Sequence, residues 1–175
     1  MARYDNCFTA SNPAAKAVTV ALSTAYTGLV ISNPIGSGKI LEFLACEFAV
    51  SVAEAAEATQ HLLAGGSSAG IVAHTVALPA PGIQRALIGQ GAGVASSSVG
   101  SVANADTEAT LVNPYYHSSL RGAFTAGALG GPGGGRLIDL EGRVWIGPGG
   151  WVAFGALTAI TGFGSFIWRE VSIDS

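Results

Sequence analysis

The uncharged stretch over residues 144–168 constrains the fold more strongly than any other part of the chain. It exceeds the roughly 20 apolar residues that a membrane-spanning helix needs. However, Gly147-Pro148-Gly149-Gly150 interrupts it, and proline and glycine destabilise a helix interior more than other residues do. Residues 161–164 are predicted to interrupt it again. The remaining runs are short and contain β-branched and aromatic residues, so they predict three β-strands separated by turns, with no membrane span.

The composition indicates one domain that hides part of its surface between identical subunits. Of the 175 residues, 49% are hydrophobic and only 11% are charged, against a usual charged share of about 25%. A monomer with so little charge has few polar groups to cover its surface. We therefore expect a homo-oligomer, a trimer before a dimer. Its subunit is a single domain over residues 16–175 that follows an extended N-terminal arm over residues 1–15.

The distribution of charge and cysteine argues against several classes of function. The net charge is −3 and the eight Lys and Arg residues are scattered, so no basic stripe indicates nucleic-acid binding. The chain begins with Asp5 and Asn6 where a signal peptide would be apolar, which predicts synthesis in the cytoplasm. Cys7 and Cys46 have no metal-binding or redox spacing, and we expect Cys46 to be a reduced, buried thiol.

The N-terminal arm combines two aromatic residues, Tyr4 and Phe8, with polar ones and shows no helical period. Two interpretations remain open. The arm is either a disordered terminus, as is common at chain ends, or a tail that lies across a neighbouring subunit and is anchored there by its aromatic side chains.

Alternation of apolar residues and turn-forming residues predicts short strands along the rest of the chain. Residues 33–38 predict a turn, because proline fixes φ and the glycines accept a positive φ. Residues 39–52 predict a strand, with a helix as the alternative because apolar residues there also recur every four positions. Many short strands with such turns predict an all-β antiparallel sandwich, and a jelly roll in particular. The other predicted strands cover residues 16–22, 28–32, 71–78, 83–88, 121–125, 137–140, 143–146, 151–157 and 165–171.

Two spacings come close to ligand-binding motifs without completing them. Residues 36–39 lack the first glycine of a phosphate-binding loop, because Asn33 stands there, and lack the Ser or Thr that follows the lysine. The glycines and proline of residues 142–150 match the spacing of the second motif of cupins, which are metal-binding jelly rolls. Ala153, however, stands where that family has a metal-ligating histidine. We therefore predict no metal and no cofactor.

The remaining polar residues predict no enzymatic activity. The three histidines, His61, His74 and His117, lie far apart, and no serine sits in a nucleophile-elbow motif. Glu42 and Glu47 are five residues apart on a predicted strand, which places them on opposite faces of the sheet.

Aromatic side chains are the candidates for contacts with other proteins, because each contributes a large apolar area, although packing within the core explains them as well. Tyr4 and Phe8 of the arm are two of these candidates, and the others are Tyr115, Tyr116 and Trp151.

Four segments carry a resemblance to a known group of proteins: LVISNPIGSGK at 29–39, LIDL at 137–140, IGPGG at 146–150 and GSFIWREV at 164–171. They resemble small virion structural proteins of tailed bacteriophages, in particular head decoration or cement proteins with a jelly-roll fold. The resemblance covers the start and the C-terminal third of the chain, and residues 65–105 do not share it. It implies a non-enzymatic oligomer on the outside of the capsid that binds the major capsid protein and clamps neighbouring subunits. The alternatives are a receptor-binding or tail-associated jelly-roll module and a degenerate cupin-like enzyme.

Overall fold

All the regular structure in the described residues is β-strand. The computed structural model of the chain describes residues 7–11, 16–18, 25–26, 28–53, 60–66, 83–85, 101–104, 109–110, 115–121, 137–156 and 160–173. These residues contain no helix, and therefore none that could cross a membrane. Their strands are β1 Cys7–Ser11, β2 Lys16–Val18, β3 Ala25–Tyr26, β4 Leu29–Ser32, β5 Lys39–Ala53, β6 Gln60–Gly66, β7 Ile83–Arg85, β8 Ser101–Asn104, β9 Ala109–Thr110, β10 Tyr115–Arg121, β11 Leu137–Ile146, β12 Gly150–Ala156 and β13 Ile160–Ser172.

The strands form two large antiparallel sheets, which confirms the predicted all-β class. The first sheet has the order β11-β5-β13-β1-β7, and β2 also pairs with β13. The second sheet has the order β10-β6-β12-β4-β8, and β3 pairs with β9 in a separate two-stranded sheet. Strand β13 is central in the first sheet, because β5 pairs with it along one side while β1 and β2 share the other.

The predicted turns at residues 33–38 and 147–150 are confirmed, and β5 is a strand and not the alternative helix. Gly36 and Gly38 have φ values of +78° and +66°, which favour glycine. In the second turn Gly149 has a φ of +85°, and the Gly150 N–H donates a hydrogen bond to the Gly147 carbonyl at 2.9 Å. Pairing with β11 and β13 on its two sides holds β5 in a strand against its partial helical period.

The predicted break at residues 161–164 is wrong, because β13 runs through it without a turn. At both of its glycines another part of the same chain comes too close for a side chain to fit. A Cβ on Gly164 would lie 2.7 Å from the ring of Phe154, and one on Gly162 would overlap the carbonyl oxygen of Ala49. Glycine in a strand can mark close approach of other groups as well as a bend.

A chain of aromatic side chains joins the two sheets. Phe154 of β12 stacks on Phe166 of β13, with ring centroids 4.4 Å apart. Phe48 of β5 packs against Phe154 at 5.2 Å. On the far side of Phe166 the contacts continue through Phe43, at 5.5 Å, to Trp168. These rings are all buried, so apolar packing between the sheets forms the core.

Both cysteines are free and buried, in agreement with the buried thiol predicted for Cys46. Cys46 lies in the core, where burial raises the pKa of its thiol to about 12. The thiol is therefore protonated at neutral pH and acts as a small apolar side chain.

An irregularity in β5 reverses the predicted facing of two acidic residues. Phe43 and Cys46 both point into the core, although they are three residues apart. The register with β13 shifts between them, where Leu44 is the extra residue of a bulge. Because one extra residue switches the face of every later side chain, Glu42 and Glu47 are both partly exposed on the outer face of the first sheet. The expectation that they point to opposite faces is wrong.

Asn33 forms hydrogen bonds that join the ends of four strands. Its backbone N–H donates to the Gly150 carbonyl, and its own carbonyl accepts from the Gly149 N–H, both at 2.8 Å. Its side-chain amide donates to the carbonyls of Lys39, at 2.8 Å, and Ile146, at 2.9 Å. Asn33 is itself buried, so these bonds replace water for the end of β4, the start of β5 and the turn between β11 and β12.

The described part of the predicted N-terminal arm belongs to the first sheet. Strand β1 lies between β13 and β7 and pairs with both, so residues 7–11 belong to a sheet of their own chain and are neither a disordered terminus nor a tail across a neighbouring subunit. Phe8 packs against Trp168 inside the same chain. Residues 1–6 and 12–15, with Tyr4, lie outside the described residues.

We predict that Gly164→Ala destabilises the fold by about 1–3 kcal/mol, because the added methyl group overpacks the contact with Phe154. The free energy of unfolding, measured by denaturant titration, tests this. Gly147→Ala is the matched control, since nothing lies within 4 Å of a Cβ at that position. Equal stabilities of the two variants would contradict the close packing at β13.

Candidate interaction surface

Two of the residues predicted to contact partners belong to the core of the chain itself. Phe8 and Trp151 are 1% and 0% exposed, so in this fold neither offers surface to another protein. Tyr115, by contrast, is exposed on β10, where its ring lies 6.4 Å from that of His117. Tyr116 also lies in β10, and Tyr4 is outside the described residues. The five candidates therefore do not form one surface in the described part of the chain.

Trp145 is the most exposed of the large hydrophobic residues that the structure describes, at 69%. Its neighbours Val144 and Ile146 point into the core, so alternation along β11 directs Trp145 to the outer face of the first sheet. An exposed tryptophan is an exception to the usual burial of this residue. The surface around it is the strongest candidate for an interaction site.

A large bulge in β11, over residues 140–143, lies shortly before this tryptophan. Asp139 pairs with Ala45 and Val144 with Phe43, so four residues of β11 stand opposite a single residue of β5. Within the bulge Glu141 has a φ of +49°, a conformation that is uncommon for residues other than glycine. An Asp139 carboxylate oxygen accepts a hydrogen bond from the Glu141 N–H at 2.8 Å and supports the turn of the chain there.

The bulge fixes the indole ring of Trp145. The indole N–H donates a hydrogen bond to the carbonyl of Gly142, three residues earlier in the bulge. The only polar atom of the ring is thus satisfied within the chain. What remains available to a partner is the apolar face of the ring.

An ion pair between Glu42 of β5 and Arg169 of β13 lies against the bulge. Glu42 of β5 stands opposite both Trp145 of β11 and Arg169 of β13, so the three side chains form one row across the sheet. Arg169 binds the Glu42 carboxylate through two nitrogens, with the second contact at 3.0 Å. The hydrogen bond with Glu42 raises the pKa of Arg169. A Cβ on Gly142 would overlap the Glu42 carboxylate, so this carboxylate lies directly against the bulge.

A shallow groove of about 250 Å³ opens beside Trp145 on the outer face of the first sheet. A closed cavity of about 150 Å³ admits a benzene molecule, so the groove has room for one aromatic or large aliphatic side chain. Its lining is mostly apolar and comes from three strands and the residue after β13: Ile40, Glu42, Trp145, Val171, Ser172 and Ile173.

The charges around the groove are largely matched within the chain. Arg143 of the bulge pairs with Glu141, and both are exposed to solvent. Arg169 pairs with Glu42 below the bulge. Each pair is neutral as a whole, and the mostly apolar lining of the groove is suited to an apolar side chain and not to an ion.

The described residues do not assemble the parts of a metal site. They contain no group of three or more His, Cys, Asp or Glu side chains that could hold a metal ion. Of the residues with cupin-like spacing, Gly142 lies in the β11 bulge and Pro148 in the following turn. Ala153, at the position of the cupin histidine, is buried in the core.

Comparison of the chain with models of known protein families, with curated protein sequences and with solved structures finds no match.

Sequence reasoning missed Trp145 and the pair beneath it. A signal for Trp145 was present, because a single tryptophan between two β-branched residues on a strand must face away from them. No signal pointed to the pairing of Glu42 with Arg169, which are 127 residues apart in sequence and become neighbours only through the register of β5 with β13.

We predict that Gly142→Ala destabilises the protein by about 1 kcal/mol more than Gly38→Ala does. The two glycines have similar φ values, +68° and +66°, so both variants incur a backbone cost of about 1–2 kcal/mol. Only at position 142 does the added Cβ displace Glu42, since nothing lies within 4 Å of a Cβ at position 38. Denaturant titration gives both free energies of unfolding.

The same measurement in a Glu42→Ala background isolates the contact. There, Gly142→Ala is expected to cost no more than Gly38→Ala, because the group that it would displace is gone. An undiminished difference between the two glycines would show that the Glu42 carboxylate does not support the bulge.

Proposed function

We propose that this chain is a virion structural protein of a tailed bacteriophage: a jelly-roll decoration or cement protein that binds the outside of the head. In this role it contacts the major capsid protein, self-associates and stabilises contacts between capsid subunits. It is synthesised in the host cytoplasm and resides on the capsid surface. It has no enzymatic activity and needs no cofactor, nucleic acid or membrane.

The observation that carries the proposal is the pairing pattern of eight strands. In chain order these strands are β1, β4, β5, β6, β10, β11, β12 and β13. The first pairs with the eighth (β1 with β13) and the second with the seventh (β4 with β12). The third then pairs with the sixth (β5 with β11) and the fourth with the fifth (β6 with β10). This is one long antiparallel hairpin, and the pairs β5 with β13 and β6 with β12 arrange it in two four-stranded groups. This pattern supports a jelly roll, a fold of eight strands in two Greek keys that viral capsid domains use.

The surface chemistry is consistent with a role in assembly. A cement protein stabilises an assembled shell by mass action, because it binds the assembled state and not the separated subunits. Aromatic residues and arginine are enriched where proteins meet, and exposed tryptophan is characteristic of residues that dominate binding energy. Trp145, with Arg143 and Arg169 close to it in sequence or in the sheet, provides these side chains on one face.

A receptor-binding or tail-associated module is the second candidate, and the exposed pair of Tyr115 and His117 favours it. These rings lie on β10, at the edge of the second sheet, and not on the face that carries Trp145. A module that displays one surface to its particle and another to a host would use two such separate sites.

Binding to capsids that lack the protein tests the proposal. We expect the purified full chain to co-sediment with such capsids and to raise their melting temperature. Ligand at 100 times its dissociation constant stabilises the bound state by about 2.7 kcal/mol per site. An unrelated acidic protein at the same concentration is the control. Binding to host cells without binding to capsids would favour the receptor-binding module and overturn the proposal, as would an absence of binding to both.

A further inference from the structure

We propose that the groove beside Trp145 is a two-fold interface, in which each of two copies of this chain inserts its Trp145 side chain into the groove of the other. The inference rests on the self-association in the proposed function and names the surface that carries it. It specifies a dimer contact and not the trimer expected from composition. It does not involve the capsid, so its test is independent of the capsid-binding experiment.

The first reason is that a projecting side chain and a groove of suitable size lie on the same patch. Trp145 projects from β11 and is 69% exposed, and the groove of about 250 Å³ begins at its side. A two-fold interface brings the same patch of both subunits together, so it needs both the projection and the recess on one surface. A partner that contributed only a projection or only a recess would leave one half of this patch unfilled.

The second reason is the fixed orientation of the indole ring. Its N–H is already bonded to the Gly142 carbonyl, so inserting the ring into an apolar groove leaves no buried donor without a partner. Within the groove the ring would meet the apolar side chains of Ile40, Val171 and Ile173. This hydrogen bond to the bulge holds the ring before association, which reduces the entropy lost on binding.

The third reason is charge. Two copies of a strongly charged patch repel each other, whereas here Glu141 is paired with Arg143 and Glu42 with Arg169. Glu141 and Arg143 lie in the bulge of β11 that precedes Trp145, two residues apart and opposite in sign. Around a two-fold axis Arg143 of one copy can therefore face Glu141 of the other, which fixes the relative orientation of the copies.

The surface of the chain is large enough for the interface of a stable dimer. Such an interface buries roughly 800 Å² on each partner, a small share of the 8729 Å² that the chain exposes. An apolar centre with a charged rim is the usual arrangement. Pairing of the two β11 edges through their backbones is disfavoured, because a bulge of this kind disrupts an edge strand. The copies thus meet through side chains on the faces of their first sheets.

Sedimentation equilibrium of the full chain over a concentration series, without capsids, tests the proposal. We expect a reversible monomer–dimer equilibrium. Trp145→Ala should raise the dissociation constant about 30-fold or more, as loss of a dominant interface residue does. Phe163→Ala is the matched control, because Phe163 is an exposed aromatic residue on the same face but towards the other end of β13, and it should leave the constant unchanged. Denaturant titration confirms that both variants are folded.

Charge reversal tests the two-fold geometry separately. Arg143→Glu should weaken the dimer, because it places like charges opposite each other across the axis. The double variant Glu141→Arg with Arg143→Glu restores opposite charges both within and between copies, so it should recover most of the affinity.

Three results would overturn the proposal. The first is a monomer at all concentrations, and the second is an oligomer whose dissociation constant does not change in Trp145→Ala. The third is a Trp145→Ala variant that dimerises normally but no longer binds capsids, which would make the capsid protein the occupant of the groove. In that last case the proposed capsid function would stand while the two-fold interface would not.

Discussion

The contact between Phe154 and Phe166 is the interaction on which the two sheets depend, and it requires glycine at position 164. The rings stack at 4.4 Å, and a side chain at position 164 would occupy the space of Phe154. Glycine lowers the intrinsic stability of a strand, because it adds no packing and loses more backbone entropy than other residues. In β13 this cost is offset by the close approach of the second sheet. The aromatic contacts that continue to Phe43 and Trp168 all extend from this point.

Asn33 provides the polar counterpart of that apolar contact, at the ends of the strands. Turns at the end of a core expose backbone groups that lose water when they are buried. One asparagine satisfies groups from both turns and thereby fixes where β5 begins and β11 ends. Glu170 lies at the same end of β13, where its buried carboxylate binds Lys39 Nζ at 3.1 Å. Since Trp145 directly precedes Ile146, whose carbonyl Asn33 binds, this network also holds the base of the exposed surface.

Local chemistry is sufficient to predict the two turns and part of the strands, but β6 and β8 are not predicted, and β1 is predicted as part of an arm. Proline and glycine at residues 33–38 and 147–150 predict the two confirmed turns, and residues 165–171 are correctly predicted as a strand, which is part of β13. The errors arose wherever tertiary contacts decide the outcome. Gly162 and Gly164 suggested a turn, although they serve close packing. The bulge at Leu44 reverses the facing of Glu47 relative to Glu42, and nothing in the local pattern marks that extra residue. Phe8 and Trp151 could not be separated from exposed aromatic residues, because composition does not say which ring faces the core.

Two arginines of the first sheet form ion pairs within the chain, and this pairing affects how the surface can recognise a partner. Long-range attraction between proteins needs uncompensated charge, and such charge speeds association. Here Arg169 and Arg143 are each paired with a glutamate of the same chain, so they contribute little steering. Recognition at such a surface depends on shape and on apolar contact. Without electrostatic steering the association rate is lower, and differences in affinity arise mainly from the dissociation rate. The low share of charged residues, 11%, and these two ion pairs make the outer face of the first sheet better suited to apolar contacts than to electrostatic ones. The bulge of β11 gives this surface its specific shape, because it positions Trp145.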